Sequence, residues 1–254
     1  NSADWKNSKM KQLGDYKIIK ELGRGAMGVV YEAIQEKLNR RVALKVLPSI
    51  FATNQSTVER FKREAEAAAK LQHPGIVQVY DVGEADETHY YAMEYIDGRS
   101  LSEVLDHERL PFERICQIVL DAAEALDHAH AHGVIHRDIK PGNIMISNEG
   151  KVKIADFGIA RLETSQTMTA TGEMLGTPMY MSPEQVMAKQ ITIDHRTDIY
   201  SLGATFYEML TLQPPFAGED IHTITKQIIE REPPPLRKIS ARVPQDLETI
   251  CLKS

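Results

Sequence analysis

The stretch from His136 to Asn143 constrains this chain more than any other part of its sequence. It places a carboxylate, an ammonium group and a carboxamide on one short loop, through Asp138, Lys140 and Asn143. Phosphoryl transfer needs a carboxylate that orients a hydroxyl nucleophile and accepts its proton, a fixed positive charge, and oxygen ligands for a metal ion. The three side chains supply these groups, so the loop predicts a phosphoryl-transfer site.

A second acidic position follows this loop. Residues 151–155 have the pattern of a β-strand and lead into Asp156-Phe157-Gly158, which adds a carboxylate and a flexible glycine. Together the two stretches resemble the catalytic loop and the metal-binding loop of protein kinases. A lysine two residues after the aspartate, here Lys140, resembles the loop of the serine/threonine-specific kinases.

The resemblance implies a role for each polar side chain of the two loops. Asp138 is expected to be the base or hydroxyl orienter, and Lys140 to neutralise charge on the migrating phosphoryl group. Asn143 and Asp156 are expected to hold Mg²⁺, and the implied phosphoryl donor is ATP.

The glycine spacing near the start of the chain leaves two interpretations open when it is taken alone. Gly23, Gly25 and Gly28 also fit a dinucleotide site, but a helix must then follow the third glycine. Residues 29–33 are instead typical of a strand, which favours a glycine-rich hairpin over ATP phosphates.

A strand-like segment further on carries Lys45 on the same face as Ala43, and by resemblance this lysine holds the α- and β-phosphates. It needs an acidic partner from the helical stretch 59–71. Glu64 matches the family register, and its competitor Glu66 lies about 200° around the helix, so only one of them can face the nucleotide. Further on, the family hinge maps to Glu94, Tyr95 and Ile96, with Met93 behind the adenine pocket. The implied nucleotide-binding residues are Gly23, Gly25, Gly28, Val30, Ala43, Lys45, Met93, Glu94 and Ile96.

Residues 158–184 contain many hydroxyl groups and resemble an activation segment, which ends in Ser182-Pro183-Glu184 where the family usually has alanine first. Thr177 is expected to position the substrate by bonding the catalytic loop. Thr169 and Thr171 have the spacing expected for activating phosphorylation sites, and Arg137 is the expected docking cation for their phosphates.

Net charge and composition exclude several classes of protein. A formal charge of −6 and a pI near 5.9 argue against general binding to nucleic acid, and no apolar run has the length of a membrane span. The two cysteines form no metal-binding pattern and suggest a reducing, cytoplasmic location. His128 and His132 have metal-ligand spacing but lack a third ligand, and by resemblance His130 is a structural histidine that bonds Asp198.

The resemblance covers residues 16–254 and implies an α+β, bilobal protein-kinase-like fold. We expect a linker at 1–15, a small antiparallel β lobe with one key helix and the hinge at 16–96, and a larger, mainly helical lobe at 97–254. The family's final helix, which normally brings an arginine to Glu184, is missing. The chain is therefore expected to be the cytoplasmic domain of a longer protein, with no membrane contact from this segment, and a membrane anchor elsewhere in that protein is left open.

The amino-acid residues of the motifs are most similar to those of bacterial eukaryotic-like (Hanks-type) serine/threonine kinases. This family phosphorylates protein substrates, and a transient homodimer is expected for autophosphorylation in trans. A pseudokinase scaffold is one alternative, but it usually loses Lys45, Asp138 or Asp156, and all three are present. The second alternative is a kinase-like small-molecule phosphotransferase, but such an enzyme typically lacks the 176–184 segment.

Overall fold

A computed structural model describes residues 11–25, 28–48, 54–157, 178–187 and 193–254. The chain forms two compact units. The first contains the chain up to Ala69 together with Gln78–Tyr95, and the second contains Lys70–Val77 together with Ile96–Ser254. Within the described ranges, no helix is both long and apolar enough to cross a membrane.

The first unit is built on a six-stranded antiparallel sheet with strand order β1-β2-β3-β4-β6-β5. One α-helix, α1 (Gln55–Ala69), accompanies the sheet and contacts β5. The strands are β1 (Gln12–Leu13), β2 (Tyr16–Gly25), β3 (Gly28–Gln35), β4 (Arg40–Val46), β5 (Val79–Ala85) and β6 (Thr88–Glu94).

Strand β4 is buried along most of its length because it has packed side chains on both faces of the sheet. Leu44 and Val46 point into a core that also contains Tyr16. Ala43 and Lys45 alternate with them and therefore lie on the opposite face. The strand pattern of the sequence thus sets which side of the sheet receives the lysine.

The expected linker at residues 1–15 is wrong for its last residues, because β1 pairs with β2 through Leu13 and Tyr16. Leu13 is fully buried in the core of the sheet. A single buried leucine has no periodicity, so the sequence pattern could not reveal this two-residue strand.

The second unit contains a three-stranded antiparallel sheet, β7-β8-β9, and most of the helices. Its strands are β7 (Gly98–Ser100), β8 (Ile144–Ser147) and β9 (Val152–Ile154). Its helices are α2 (Leu101–His107), α3 (Phe112–Ala131), α4 (Pro183–Val186), α5 (Arg196–Thr211), α6 (Ile221–Glu230), α7 (Leu236–Ile239) and α8 (Gln245–Cys251).

Helix α5 forms the centre of the second unit. Twelve of its residues are buried, and it packs against α3, which buries the apolar stripe that the sequence predicts. The expected α+β fold, an antiparallel sheet followed by a mainly helical region, is confirmed.

The segment 70–77 packs with the second unit, although the sequence placed it inside the first lobe. Gly75 accepts a hydrogen bond from the Ile154 N–H at 2.8 Å, and the Val77 N–H donates to the Ile154 carbonyl at 2.9 Å. These backbone bonds attach the segment to β9. Such a pairing between distant residues leaves no mark on the local sequence pattern.

Candidate active site

The three polar side chains of the 136–143 loop are in direct contact in the structure. Lys140 Nζ lies 3.0 Å from Asp138 Oδ2, and Asn143 Nδ2 donates to the same carboxylate oxygen at 3.1 Å. Asn143 Nδ2 also donates to the Asp138 carbonyl at 2.8 Å. The carboxylate is therefore held in one orientation by two donors, one of which carries a full positive charge.

The backbone just before Asp138 is fixed by Asp198, a fully buried residue in the first turn of α5. Its two carboxylate oxygens accept the backbone N–H groups of His136, at 2.8 Å, and Arg137, at 2.7 Å. His130 on α3 donates to the same carboxylate at 2.8 Å, which confirms the expected His130–Asp198 bond.

Asp198 is charged despite its burial. Burial acts to raise the pKa of its carboxyl group, but the hydrogen bond from His130 and the backbone donors of the loop outweigh this effect and hold the pKa below its usual value. Arg137, in contrast, has its pKa lowered by burial, with the Asp198 charge opposing the shift. A buried, charged carboxylate thus fixes the backbone of the loop by accepting two of its N–H groups.

His136 connects the loop to the end of β9. Its Nδ1 accepts the Asp138 N–H at 3.1 Å, which makes Nε2 the protonated nitrogen that donates to the Ala155 carbonyl at 3.0 Å. The Ala155 N–H in turn donates to the Asn143 carbonyl at 2.9 Å. The chain therefore delivers Asp156, the next residue, beside the loop.

The donor chemistry of these residues fits a hard divalent cation. Because the Asn143 side chain donates to Asp138 through Nδ2 in both of these contacts, its carboxamide oxygen remains available as a ligand. Asp156 offers a carboxylate and sits in the left-handed backbone region, at φ 56°, which aspartate tolerates better than most residues. Amide and carboxylate oxygens are the ligands that Mg²⁺ takes from proteins.

In the first unit, Lys45 and Glu64 form a buried ion pair. Lys45 Nζ lies 2.8 Å from Glu64 Oε1, and the two residues are only 7% and 3% exposed. Tyr91 supports the pair, since its hydroxyl donates to Glu64 Oε1 at 3.1 Å. Glu66 is exposed, so the structure gives Lys45 the partner that the family register predicts.

The glycine segment forms a hairpin and no helix. Gly25 pairs with Gly28 as β2 turns into β3, which excludes the dinucleotide-type arrangement. A Cβ atom at Gly28 would lie 2.7 Å from the Val46 carbonyl oxygen, so only glycine fits there. At Gly23 and Gly25 a Cβ would meet nothing within 4 Å, and their lack of side chains leaves room for a ligand to approach the backbone.

The expected adenine-binding residues lie along the neighbouring strands. Val30 pairs with Lys45, and Ala43 pairs with Met93 at the end of β6, where both side chains are buried. The Glu94 N–H donates to Gln78 at 2.8 Å. Ile96, half-buried, begins the second stretch of chain that belongs to the second unit.

Four expected site residues lie outside the described part of the chain. They are the metal-loop glycine, the two expected phosphorylation sites and the substrate-positioning threonine: Gly158, Thr169, Thr171 and Thr177.

Two contacts next to the site escaped the sequence analysis. Tyr180 donates to Glu208 on α5 at 2.5 Å, and burial raises the pKa of both groups. Ser182 and Gln185 form a capping box at the start of α4. The spacing of serine and glutamine three residues apart could have predicted the second contact, whereas no sequence signal pointed to the first.

The histidines at the end of α3 form a ring stack. The rings of His73 and His128 lie 5.0 Å apart, and those of His128 and His132 lie 4.3 Å apart. Burial lowers the pKa of His128, and the positive charges of its two neighbours add to the effect. Within the described ranges, no group of three or more His, Cys, Asp or Glu side chains could hold a metal ion.

Comparison with known proteins agrees with this arrangement. The family model for the protein kinase domain matches residues 16–252. A probable serine/threonine-protein kinase of Clostridium perfringens is 42% identical over 96% of this chain and 36% of its own length. The serine/threonine-protein kinase PknB of Mycolicibacterium smegmatis is 43% identical over 94% of this chain and 39% of its own length. The chain thus spans less than two fifths of these relatives.

A solved structure shows the same fold. The crystal structure of the Mycobacterium tuberculosis PknI kinase domain superposes with a TM-score of 0.72 at 29% identity, and covers 95% of this chain and 89% of that one. Protein kinases use ATP and a divalent metal ion. The family match and the relatives together show that this chain belongs to the protein kinase domain family, among the bacterial serine/threonine protein kinases.

Proposed function

We propose that this domain transfers the γ-phosphoryl group of MgATP to serine and threonine hydroxyls of proteins in the bacterial cytoplasm, as a signalling enzyme. The contact set of Asp138, Lys140 and Asn143 carries the proposal, because it joins a proton acceptor, a cation and a metal-ligating amide in one hydrogen-bonded group. A scaffold that only binds nucleotide has no need of this group.

Asp138 orients the acceptor hydroxyl and takes its proton as the phosphoryl group arrives. Lys140, already 3.0 Å from this carboxylate, neutralises charge on the migrating group. Asn143 and Asp156 would hold Mg²⁺, which would supply positive charge against the phosphates when bound. Thr177 positions the substrate segment against Asp138 and Lys140.

Nucleotide binding falls to the first unit. Lys45, fixed by Glu64, holds the α- and β-phosphates, and the backbone of Gly23, Gly25 and Gly28 covers them. Adenine lies against a group of apolar and hinge residues, namely Val30, Ala43, Met93, Glu94 and Ile96. The two lobes of the enzyme correspond to residues 16–96 and 97–254 as an approximate division.

Activity is tested by incubating the purified chain with radiolabelled ATP, Mg²⁺ and a generic protein substrate. Asp138→Asn should abolish transfer and keep MgATP binding, because Asp138 serves the nucleophile and not the nucleotide. Asp246→Asn, an exposed position on α8, is the matched control and should retain full activity. Transfer by Asp138→Asn at the parent rate would contradict the assigned role.

The same assay separates the alternatives. A pseudokinase would bind MgATP and transfer no phosphate, even as the parent chain. A small-molecule phosphotransferase would label small hydroxyl compounds and leave protein unlabelled.

Regulation is the second part of the proposal. A transient homodimer phosphorylates Thr169 and Thr171 in trans, and the phosphates dock on Arg137, immediately before Asp138. A phosphothreonine carries about −1.5 to −2 charge and oxygens suited to arginine contacts. The test compares the parent, shown by mass spectrometry to be doubly phosphorylated, with Thr169→Ala/Thr171→Ala on an added substrate. Equal activity would exclude the switch.

A further inference from the structure

The short helix α4 is connected to the catalytic loop through one side chain. Gln185 Oε1 accepts the Ser182 N–H at 3.0 Å, as part of the capping box. The nitrogen of the same carboxamide donates to the backbone carbonyl of Arg137 at 2.8 Å. Gln185 therefore touches both the start of its own helix and the peptide that precedes Asp138, 48 residues earlier in the chain.

The peptide that Gln185 holds is in a conformation that needs support. Arg137 has φ 66°, in the left-handed region that residues with a side chain rarely occupy. Such a conformation persists where the surroundings fix it. Here Asp198 accepts the N–H of Arg137 and Gln185 donates to its carbonyl, so the peptide planes on both sides of Arg137 are held.

A carboxamide can make both contacts because it carries a donor and an acceptor. The N–H of Ser182 requires an acceptor, and the carbonyl of Arg137 requires a donor. A capping box takes either glutamate or glutamine at this position, but an ionised glutamate has no donor and would place its charge against a carbonyl oxygen. The contact to Arg137 therefore distinguishes glutamine from the residue that would serve the helix cap equally well.

We propose that Gln185 is a positioning residue for phosphoryl transfer: by holding the Arg137 carbonyl it fixes the peptide before Asp138 and, through it, the Asp138 carboxylate. The inference rests on the proposed role of Asp138. It also gives the 182–187 segment a physical route to the catalytic loop, since a shift of α4 would be passed to Arg137 through one side chain.

The central variant is Gln185→Glu, which keeps the capping acceptor and loses the donor. We expect its kcat to fall by about 10- to 100-fold, because a misplacement of about 1 Å at a catalytic group has effects of this size. KM for ATP and the melting temperature should stay close to those of the parent. Gln227→Glu is the matched control, since Gln227 also donates to a backbone carbonyl, that of Ala217 at 2.9 Å, on a helix distant in sequence from the loop.

The pH profile gives a readout that a merely structural role would not produce. A protonated glutamate regains a donor, and the pKa of glutamate is ordinarily about 4.3, so the ratio of kcat for Gln185→Glu to kcat for the parent should rise as the pH is lowered from 7 towards 5. The same ratio for Gln227→Glu should stay flat. A flat ratio for both variants would overturn the donor role of Gln185.

A measurement without substrate separates this inference from the proposed function. Amide hydrogen exchange at Asp138, whose N–H is bonded to His136, should be faster in Gln185→Glu than in the parent and unchanged in Gln227→Glu. A parent chain that transfers no phosphate would refute the proposed function alone. An active parent with a Gln185→Glu variant of equal kcat and equal exchange would refute the positioning role.

Discussion

Replacing Asp198 with alanine tests whether one buried carboxylate organises the 136–143 loop. The substitution leaves three donors without their acceptor: His130 Nε2 and the N–H groups of His136 and Arg137. Each unsatisfied buried donor costs about 1–3 kcal/mol. Partial rearrangement and water entry reduce the sum, so we expect the free energy of unfolding to fall by about 3–5 kcal/mol, as when one partner of a buried charged pair is removed.

This loss is a large share of the stability of a typical domain, roughly 5–15 kcal/mol. For a chain of this size it corresponds to a decrease in melting temperature of about 6–20 °C. Urea unfolding followed by circular dichroism at 222 nm is the suitable assay, because that signal reports mainly the helices of the second unit. Kinase activity should fall in parallel, since the backbone before Asp138 loses its anchor.

Asp194→Ala is the control for this experiment. Asp194 binds Arg196 through several hydrogen bonds, and they lower its pKa to about 2, but the pair is exposed to solvent. Exposed pairs contribute little to stability, so this variant should unfold close to the parent. Equal destabilisation by the two substitutions would refute the reasoning, because burial, and not the number of hydrogen bonds, is expected to decide the outcome.

Three further outcomes follow from the other contacts. Because the pKa of His128 is lowered in the folded state, the unfolded chain binds more protons at this residue than the folded chain does. The free energy of unfolding should therefore fall as the pH drops through about 6.5. The melting temperature of His128→Phe, which keeps the ring stack with His132, should depend less on pH between about 7.5 and 5.5. Lys45→Met should reduce phosphoryl transfer by positioning the nucleotide poorly; transfer at the parent rate in a radiolabelled ATP assay would contradict its placement. Tyr180→Phe removes the donor to a half-buried Glu208 and should lower the urea midpoint by an amount equivalent to about 1–3 kcal/mol, and an unchanged midpoint would show that water replaces the hydroxyl.

The sequence alone determined those parts of the site that are close together along the chain. Asp138, Lys140 and Asn143 span six positions, so a single loop brings them together whatever surrounds it. Strand alternation likewise placed Lys45 on the face opposite Leu44, and the strand pattern after Gly28 predicted the hairpin correctly. Local periodicity was sufficient because backbone geometry fixes these relations within a few residues.

The helix register also carried information over a longer distance. The angle between Glu64 and Glu66 on one helix showed that only one of them can face Lys45, and the family register selected Glu64. The ion pair with Lys45 agrees with that choice. The His130–Asp198 bond came from resemblance to the family. Periodicity by itself gives no reason for a histidine on one helix to meet an aspartate 68 residues later.

Only the tertiary structure showed which segments that are distant in sequence contact each other. It showed that Leu13 belongs to the sheet, that residues 70–77 pair with Ile154, and that Gln185 reaches the Arg137 carbonyl. A capping box explains why glutamine or glutamate follows Ser182, and it does not choose between them. That choice depends on the Arg137 carbonyl, which folding brings within 2.8 Å of the Gln185 side chain. Because every residue has a backbone carbonyl, the identity of residue 137 could not reveal this contact.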